Sequence, residues 1–282
     1  MKDTILFGDC RKTIPTITEP VKMCVTSPPY YGLRDYGGEE NQIGMEESPE
    51  KYVDQLVDVF RSVREVLTDD GTLWLNIGDS YYNYRSDGNY PKQTVSKTRQ
   101  DLPTKTPVRG NKLEGYKSKD LIGIPWLLAF ALRKDGWYLR QDIIWNKPNP
   151  MPESVRDRCT KSHEYIFLFS KSKNYYFDVD SIKESTIDGK GLKRKKSVWN
   201  IKTKPYKDAH FAVYPPELIE PCIKAGSQKG DIILDPFMGS GTTGMVAKSL
   251  GRHYIGCELH ESYGKLIQNR VSEYTINLEN FV

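Results

Sequence analysis

Two short stretches hold residues whose types and spacing could do chemistry. Residues 26–31 read TSPPYY, and residues 235–244 read DPFMGSGTTG. In the first, two prolines fix φ near −65° and block regular structure, and two aromatic rings follow directly. Such a loop is either a stiff turn or a platform for a flat substrate. In the second, an apolar run ends in Asp235 and a Gly-Ser-Gly turn leads into a helical pattern from Thr242. Glycines let a backbone turn tightly and approach a ligand closely, and open α/β sheets bind ligands at the carboxyl ends of their strands. Glu258 closes the next apolar run, HYIGCE, where a carboxylate can accept from both hydroxyls of a ribose. Gly239 and Gly244 have P-loop spacing, but Met245 stands where that motif needs lysine. Gly239, Gly241 and Gly244 also satisfy G-x-G-x-x-G, so spacing alone leaves a dinucleotide loop open.

The elements that must position these loops are readable in outline. ILFG (5–8) and KMCVT (22–26) read as short buried strands. A helix is expected from Pro49 to Leu67, with Ser48 as its N-cap and an apolar stripe through Val53, Leu56, Val57, Phe60, Val63 and Leu67. TDDG is expected to end it, before a strand over 72–77. Further expectations are a helix over 124–134, strands over 138–145 and 164–170, and a helix over 216–224. The last stretch alternates strand DIILD, a helix from Thr242, strand HYIGCE and a helix over 261–274. Buried strands alternating with amphipathic helices indicate an α/β domain with a largely parallel sheet. We expect one domain over 1–282.

Composition narrows the function classes. No apolar run is long enough to cross a membrane, and the N-terminal run is too short for a signal-peptide core, so a cytoplasmic protein is expected. Five cysteines without a C-x-x-C pair point to small buried hydrophobes, with neither disulfides nor a zinc site. The four histidines lack ligand spacing, and no metal is expected. The net charge of +4 is unevenly spread: residues 81–119 carry nine Lys and Arg against three Asp and Glu, and residues 183–207 carry nine against two. Two basic segments on an otherwise acidic body point to a polyanion partner. The first is rich in Gly, Pro, Ser and Thr and reads as a flexible excursion.

Taken together, these residues resemble the S-adenosylmethionine-dependent DNA methyltransferases that act on amino groups. DPFMGSGTT resembles that family's cofactor motif, and SPPY its catalytic motif [DNS]-P-P-[YFW]. FGDC near the N-terminus is similar to the motif whose aspartate, here Asp9, contacts the cofactor adenine. HFAVYPPELIEPCI, IIWNKPNPMPESVRDR and KSHEYIFLFSKS are similar to further family segments. The catalytic motif precedes the cofactor motif, which implies the circularly permuted β group. It also implies a doubly wound, mostly parallel, seven-stranded Rossmann-like sheet. The resemblance implies cofactor contacts from Asp9, Asp235, Phe237, Gly239, Ser240, Gly241, Thr242 and Glu258, and catalysis by Ser27, Pro28, Pro29 and Tyr30. It implies target recognition within 183–207, whose Lys193, Arg194, Lys195 and Lys196 are the expected DNA contacts, with 81–119 sharing the task. It further implies a double-stranded DNA substrate, a prokaryotic or phage origin, a monomer or homodimer, and a cognate restriction endonuclease as a partner.

An exocyclic amino group is a poor nucleophile because its lone pair is delocalised into the ring. In the resembled family, the Ser27 hydroxyl and Pro28 carbonyl would accept its hydrogens and localise that pair. Prolines pre-set these acceptors, and Tyr30 would stack on a base flipped out of the duplex. A carbon-5 cytosine mechanism needs a cysteine nucleophile, and Tyr30 follows the proline pair instead. Serine at the first motif position favours cytosine N4, and adenine N6 is the alternative. An RNA or protein methyltransferase, or a binding module without catalysis, are the remaining readings.

Overall fold

The computed structural model describes residues 1–33, 42–82, 112–186, 188–204 and 213–279, with side chains as far as 272. In chain order the first half runs β1 (Thr4–Phe7), α1 (Cys10–Thr13), β2 (Val21–Thr26), α2 (Pro49–Val66), β3 (Leu67–Ile77), α3 (Ile124–Lys134), β4 (Tyr138–Asn146) and β5 (His163–Ser170). The second half runs β6 (Glu184–Ser185), β7 (Leu192–Lys193), β8 (Val198–Asn200), α4 (Pro216–Gly226), β9 (Ile232–Asp235), α5 (Thr242–Ser249), β10 (His253–Glu258) and α6 (Gly264–Glu279).

Among the described residues, eight strands form one sheet in the order β1-β10-β9-β2-β3-β5-β4-β8. All neighbouring pairs are parallel except β3/β5 and β5/β4. The period-2 alternation of strand side chains divides the core between two faces. Cys24, Leu73, Leu75, Phe167, Phe169 and Leu234 pack with α2 and α3 on one face. Met23, Val25, Trp74, Ile166, Leu168 and Ile233 pack with α4 and α5 on the other. The sheet is therefore doubly wound. From β2 the chain proceeds outward to β3, and from β9 it proceeds the opposite way to β10, so the strand order reverses between β2 and β9. Such a crevice, at the carboxyl ends of the strands, is where doubly wound sheets bind ligands.

Ser48 caps α2 as expected, its side chain accepting from the Lys51 amide at 3.3 Å, with Pro49 in the first turn. Four expectations need correction. TDDG is strand, not turn: Leu67 pairs with Val21, Lys22 pairs with Asp70, and the backbone of residues 171 and 176 bonds to Gly71 and Asp70. The sheet has eight strands, not seven, because β8 adds an edge to β4 from within the second basic segment. That segment also forms the small antiparallel pair β6/β7. The last helix opens with a 3-10 turn at Glu261–Tyr263 and extends to Glu279. Of the cysteines, Cys159 is exposed and the other four are buried.

The first basic excursion is pinned at both ends. Tyr81 bridges to Leu121, the Tyr82 amide donates to Asp120 O at 2.8 Å, and the Tyr82 hydroxyl accepts from the Leu113 amide at 2.8 Å. The expected flexibility of its middle, 83–111, falls outside the described residues. Among the described residues, no helix is long and apolar enough to cross a membrane.

Candidate active site

The two sequence loops leave the sheet from adjacent strands. Met23 and Cys24 of β2 are in register with Ile233 and Leu234 of β9, so TSPPYY and DPFMGSGTTG emerge side by side at the switch point. The pairing continues past the backbone. The Thr26 hydroxyl donates to Asp235 Oδ1 at 2.6 Å, tying the end of one strand to the end of the other.

Asp235 is 1% exposed and accepts from three further donors: the Phe237 amide at 3.0 Å, the Thr243 hydroxyl at 2.5 Å and the Tyr214 hydroxyl at 3.2 Å. Burial raises its pKa, while these donors pull it down. With four protein donors on its two oxygens, it shapes the loop. Tyr214, from the segment before α4, thereby docks on both β9 and α5. Burial, and the nearby Asp235, push its phenol well above the ordinary range.

Gly239 and Gly241 adopt φ of +53° and +85°, the left-handed region that disfavours side chains. A Cβ on Gly241 would also lie 2.9 Å from Ile267 Cγ2 of α6. These glycines turn the loop into the N-terminus of α5. The buried Ser240 hydroxyl accepts from the buried Arg270 guanidinium of α6. Thr242 is 2% exposed, and among the described residues its hydroxyl has no hydrogen-bond partner.

At the end of β10, Glu258 accepts from the Gly239 amide at 2.9 Å and from the His260 amide at 3.1 Å. Burial raises its carboxyl to about 7 despite those bonds. At the end of β1, Asp9 caps α1 through the Arg11 amide at 2.9 Å and forms an ion pair with the Arg11 guanidinium at 2.7 Å. Burial pushes its pKa up, but the Arg11 bonds outweigh that and leave it below the usual carboxylate range. The structure thus brings Asp9, Asp235, the Gly239–Thr242 turn and Glu258 to one row of strand ends. Phe237 packs partly buried on the core beside them. A glycine turn at a helix start, a Thr242 hydroxyl unpaired among the described residues and an acid at the next strand end fit the adenosyl and methionine parts of S-adenosylmethionine.

The catalytic-motif loop is braced. Tyr52 of α2 donates its hydroxyl to Pro29 O at 2.8 Å. Gly44, at φ +104°, lets its chain close over the loop; a Cβ there would lie 3.3 Å from Tyr30 O. The half-buried Tyr30 donates its hydroxyl to Glu164 Oε2 at 2.7 Å, and the Ser27 hydroxyl reaches Tyr30 Oη at 3.5 Å. Burial, with the adjacent Glu164, pushes the Tyr30 phenol well above its ordinary range. Beside Tyr30 lies a recess of about 50 Å³ lined by Gly78, Asp79, Ser80 and Ile124. Asp79 accepts the amides of Gly123 and Ile124 at the start of α3, and Lys161 Nζ donates to its carbonyl at 2.7 Å.

The model of a DNA methylase family matches residues 21–269 of this chain. The chain belongs to the DNA methylase family. Its relatives include the Type II methyltransferase M.SmaI of Serratia marcescens, 52% identical over 95% of this chain and 90% of its own. Another is the Type II methyltransferase M.XycI of Xanthomonas campestris pv. cyanopsidis, 51% identical over 98% and 89%. Among solved structures, the cytosine-N4-specific PvuII DNA methyltransferase shares the fold, with a TM-score of 0.69 at 18% identity over 96% of this chain and 86% of that one. The protein is therefore a DNA methyltransferase of the N4/N6 amino-methylating family.

The methylase fold also shows which expected residues stand apart. Lys193 lies on β7, in the separate two-stranded pair, and Arg194, Lys195 and Lys196 lie on the approach to β8, which is four strand spacings or about 20 Å from β2. Arg194 and Lys196 are exposed, while Lys193 sits 3.8 Å from Glu184 and Lys195 lies over the Trp199 ring at 5.0 Å. Sequence reasoning missed Thr26, Tyr214, Thr243, Arg270 and Glu164. The first four are ordinary polar residues whose value comes from three-dimensional meeting. Glu164 had a signal: it is a charged residue one place inside a strand whose last five residues are buried.

Proposed function

We propose that this methylase transfers a methyl group from S-adenosylmethionine to the exocyclic N4 amino group of cytosine at a specific sequence in duplex DNA. When bound, the cofactor supplies an electrophilic methyl on a sulfonium and departs as a neutral thioether. The Gly239–Thr242 turn, Glu258 and Phe237 would hold it, and Asp9 would border the adenine end. Asp235 shapes the turn from behind. The observation that carries the reading is the Thr26–Asp235 bond. It sets the Ser27 hydroxyl and Pro28 carbonyl, as acceptors for an amino group, beside a loop suited to the methyl donor.

Serine at the head of the SPPY motif favours the N4 target, and the PvuII enzyme of the same fold is cytosine-N4-specific. The target amino group is inaccessible within stacked duplex, so the base is flipped out against Tyr30. Aromatic stacking is worth about 1–3 kcal/mol per base, which offsets much of the few kcal/mol lost on extrusion. The motif order is that of the permuted β group, with β9 and β10 inserted between β1 and β2. The segments 183–207 and 81–119 contact the DNA around the target. A cognate restriction endonuclease is the expected companion, since the relatives bear Type II names.

Modification-sensitive sequencing of DNA from cells expressing the protein tests the reading. We expect N4-methylcytosine at one recurrent sequence. Methylated adenine at such a sequence would replace the cytosine assignment, and no new modification would refute the proposed activity.

A further inference from the structure

Three donors converge on Glu164, on the carboxyl edge of the sheet beside β3. They are the Tyr30 hydroxyl at 2.7 Å, Asn76 Nδ2 at 3.2 Å and the Lys147 ammonium at the end of β4. The Ser27 hydroxyl in turn donates towards Tyr30 Oη at 3.5 Å. The hydrogens therefore run one way, from Ser27 to Tyr30 to Glu164. The arrangement depends on Gly78, where a Cβ would lie 2.8 Å from Tyr30 Cε2 and 3.3 Å from the Glu164 carboxyl carbon.

We propose that Ser27, Tyr30 and Glu164 form the exit path for the proton that the target amino group releases on methylation, with Glu164 as its terminus. This rests on the reading of the site as a centre of methyl transfer to an amino nitrogen. A nitrogen that gains a methyl must shed one of its hydrogens as a proton. That proton passes to Ser27 Oγ as the serine proton passes to Tyr30 Oη and the tyrosine proton passes to Glu164 Oε2. Both hydroxyls are restored, and the carboxylate ends neutral. Neither hydroxyl is a resting place for charge, so the path needs a carboxylate at its end.

The charges facing that carboxylate are Lys147, paired with it, and the half-buried Lys161 just before β5. The Ser27–Tyr30 link is long, and such bonds commonly tighten when substrate binds. The proposal gives the Tyr30 hydroxyl work that ring stacking does not require, since phenylalanine would stack as well.

Tyr30→Phe and Glu164→Gln test the path. Single-turnover methylation of duplex DNA should fall about tenfold or more in Tyr30→Phe, the lower end of what positioned proton transfer contributes. Cofactor affinity should be unchanged. A second readout needs no activity: in protein labelled at tyrosine Cζ and free of cofactor, Glu164→Gln should shift the Tyr30 NMR signal, because its hydroxyl loses a carboxylate acceptor. Should Glu164→Gln fail to fold, the single-turnover rate and cofactor affinity of Tyr30→Phe decide. A Tyr30→Phe enzyme with the wild-type rate overturns the path alone. A wild type that methylates no DNA overturns the reading beneath it.

Discussion

In the proposed reading, Glu258 is the residue whose protonation bears most directly on cofactor binding. Burial lifts its carboxyl from an ordinary 4.5 to about 7, so below neutral pH the cofactor-free protein carries it mostly protonated. Because the folded pKa is raised, this group's contribution to stability is full below pH 4.5 and is lost as pH rises through 7. Ribose hydroxyls donating to the ionised form would draw that proton off. Cofactor affinity measured by calorimetry should therefore rise by up to about tenfold per pH unit below 7 and level off above it. Glu258→Gln should bind more weakly and lose this component of the pH dependence. An unchanged profile in that variant would remove Glu258 from the cofactor site. Asp235 shows the reverse lesson. Its place at a strand end was legible from ILDPF, but its four donors were not, because they arrive from β2, α5, the loop itself and the segment before α4.

At the scale of elements, the cofactor turn is held by contact with α6 as much as by its own sequence. Gly241 is left-handed and its missing Cβ is the space that Ile267 fills. Gly241→Ala should cost about 1–3 kcal/mol from backbone strain, with more if α6 must shift. Denaturant unfolding should show that loss, and cofactor affinity should fall with it. Wild-type stability would mean the turn relaxes freely. Most elements were legible because their periods are strong: the α2 stripe, the α3 limits and the alternating strands were all read close to where they lie. The misreadings share a cause. TDDG has turn residues and becomes strand because Val21, Lys22 and the chain at 171–176 supply partners distant in sequence. The strand VWN at 198–200 sits in a polar, basic context and is recruited by the free edge of β4. Trp199, buried there with its indole donating to Lys196 O at 2.7 Å, was the available clue.

For the whole molecule, strand order explains how loops some 200 residues apart form one site. β9 and β10 insert between β1 and β2, which places the two motifs at one reversal of the sheet. β8, beside the basic run, lies four strand spacings or about 20 Å along the sheet from β2, and the proposed function has that run hold the duplex backbone. Phosphate contacts release counterions, so duplex affinity should fall steeply as salt rises. Replacing the exposed Arg194 and Lys196 with alanine should reduce the slope of log affinity against log salt by up to about 1.8 for two lost contacts. An unaltered slope would place the DNA elsewhere.

The central claim is that Ser27, set beside the cofactor loop by Thr26 and Asp235, presents a cytosine amino group for methylation. Its most direct test is mass spectrometry of nucleosides from duplex DNA methylated by the purified protein. The account predicts N4-methylcytosine, with none formed by a Ser27→Ala protein that still binds cofactor. N6-methyladenine in place of N4-methylcytosine would contradict it.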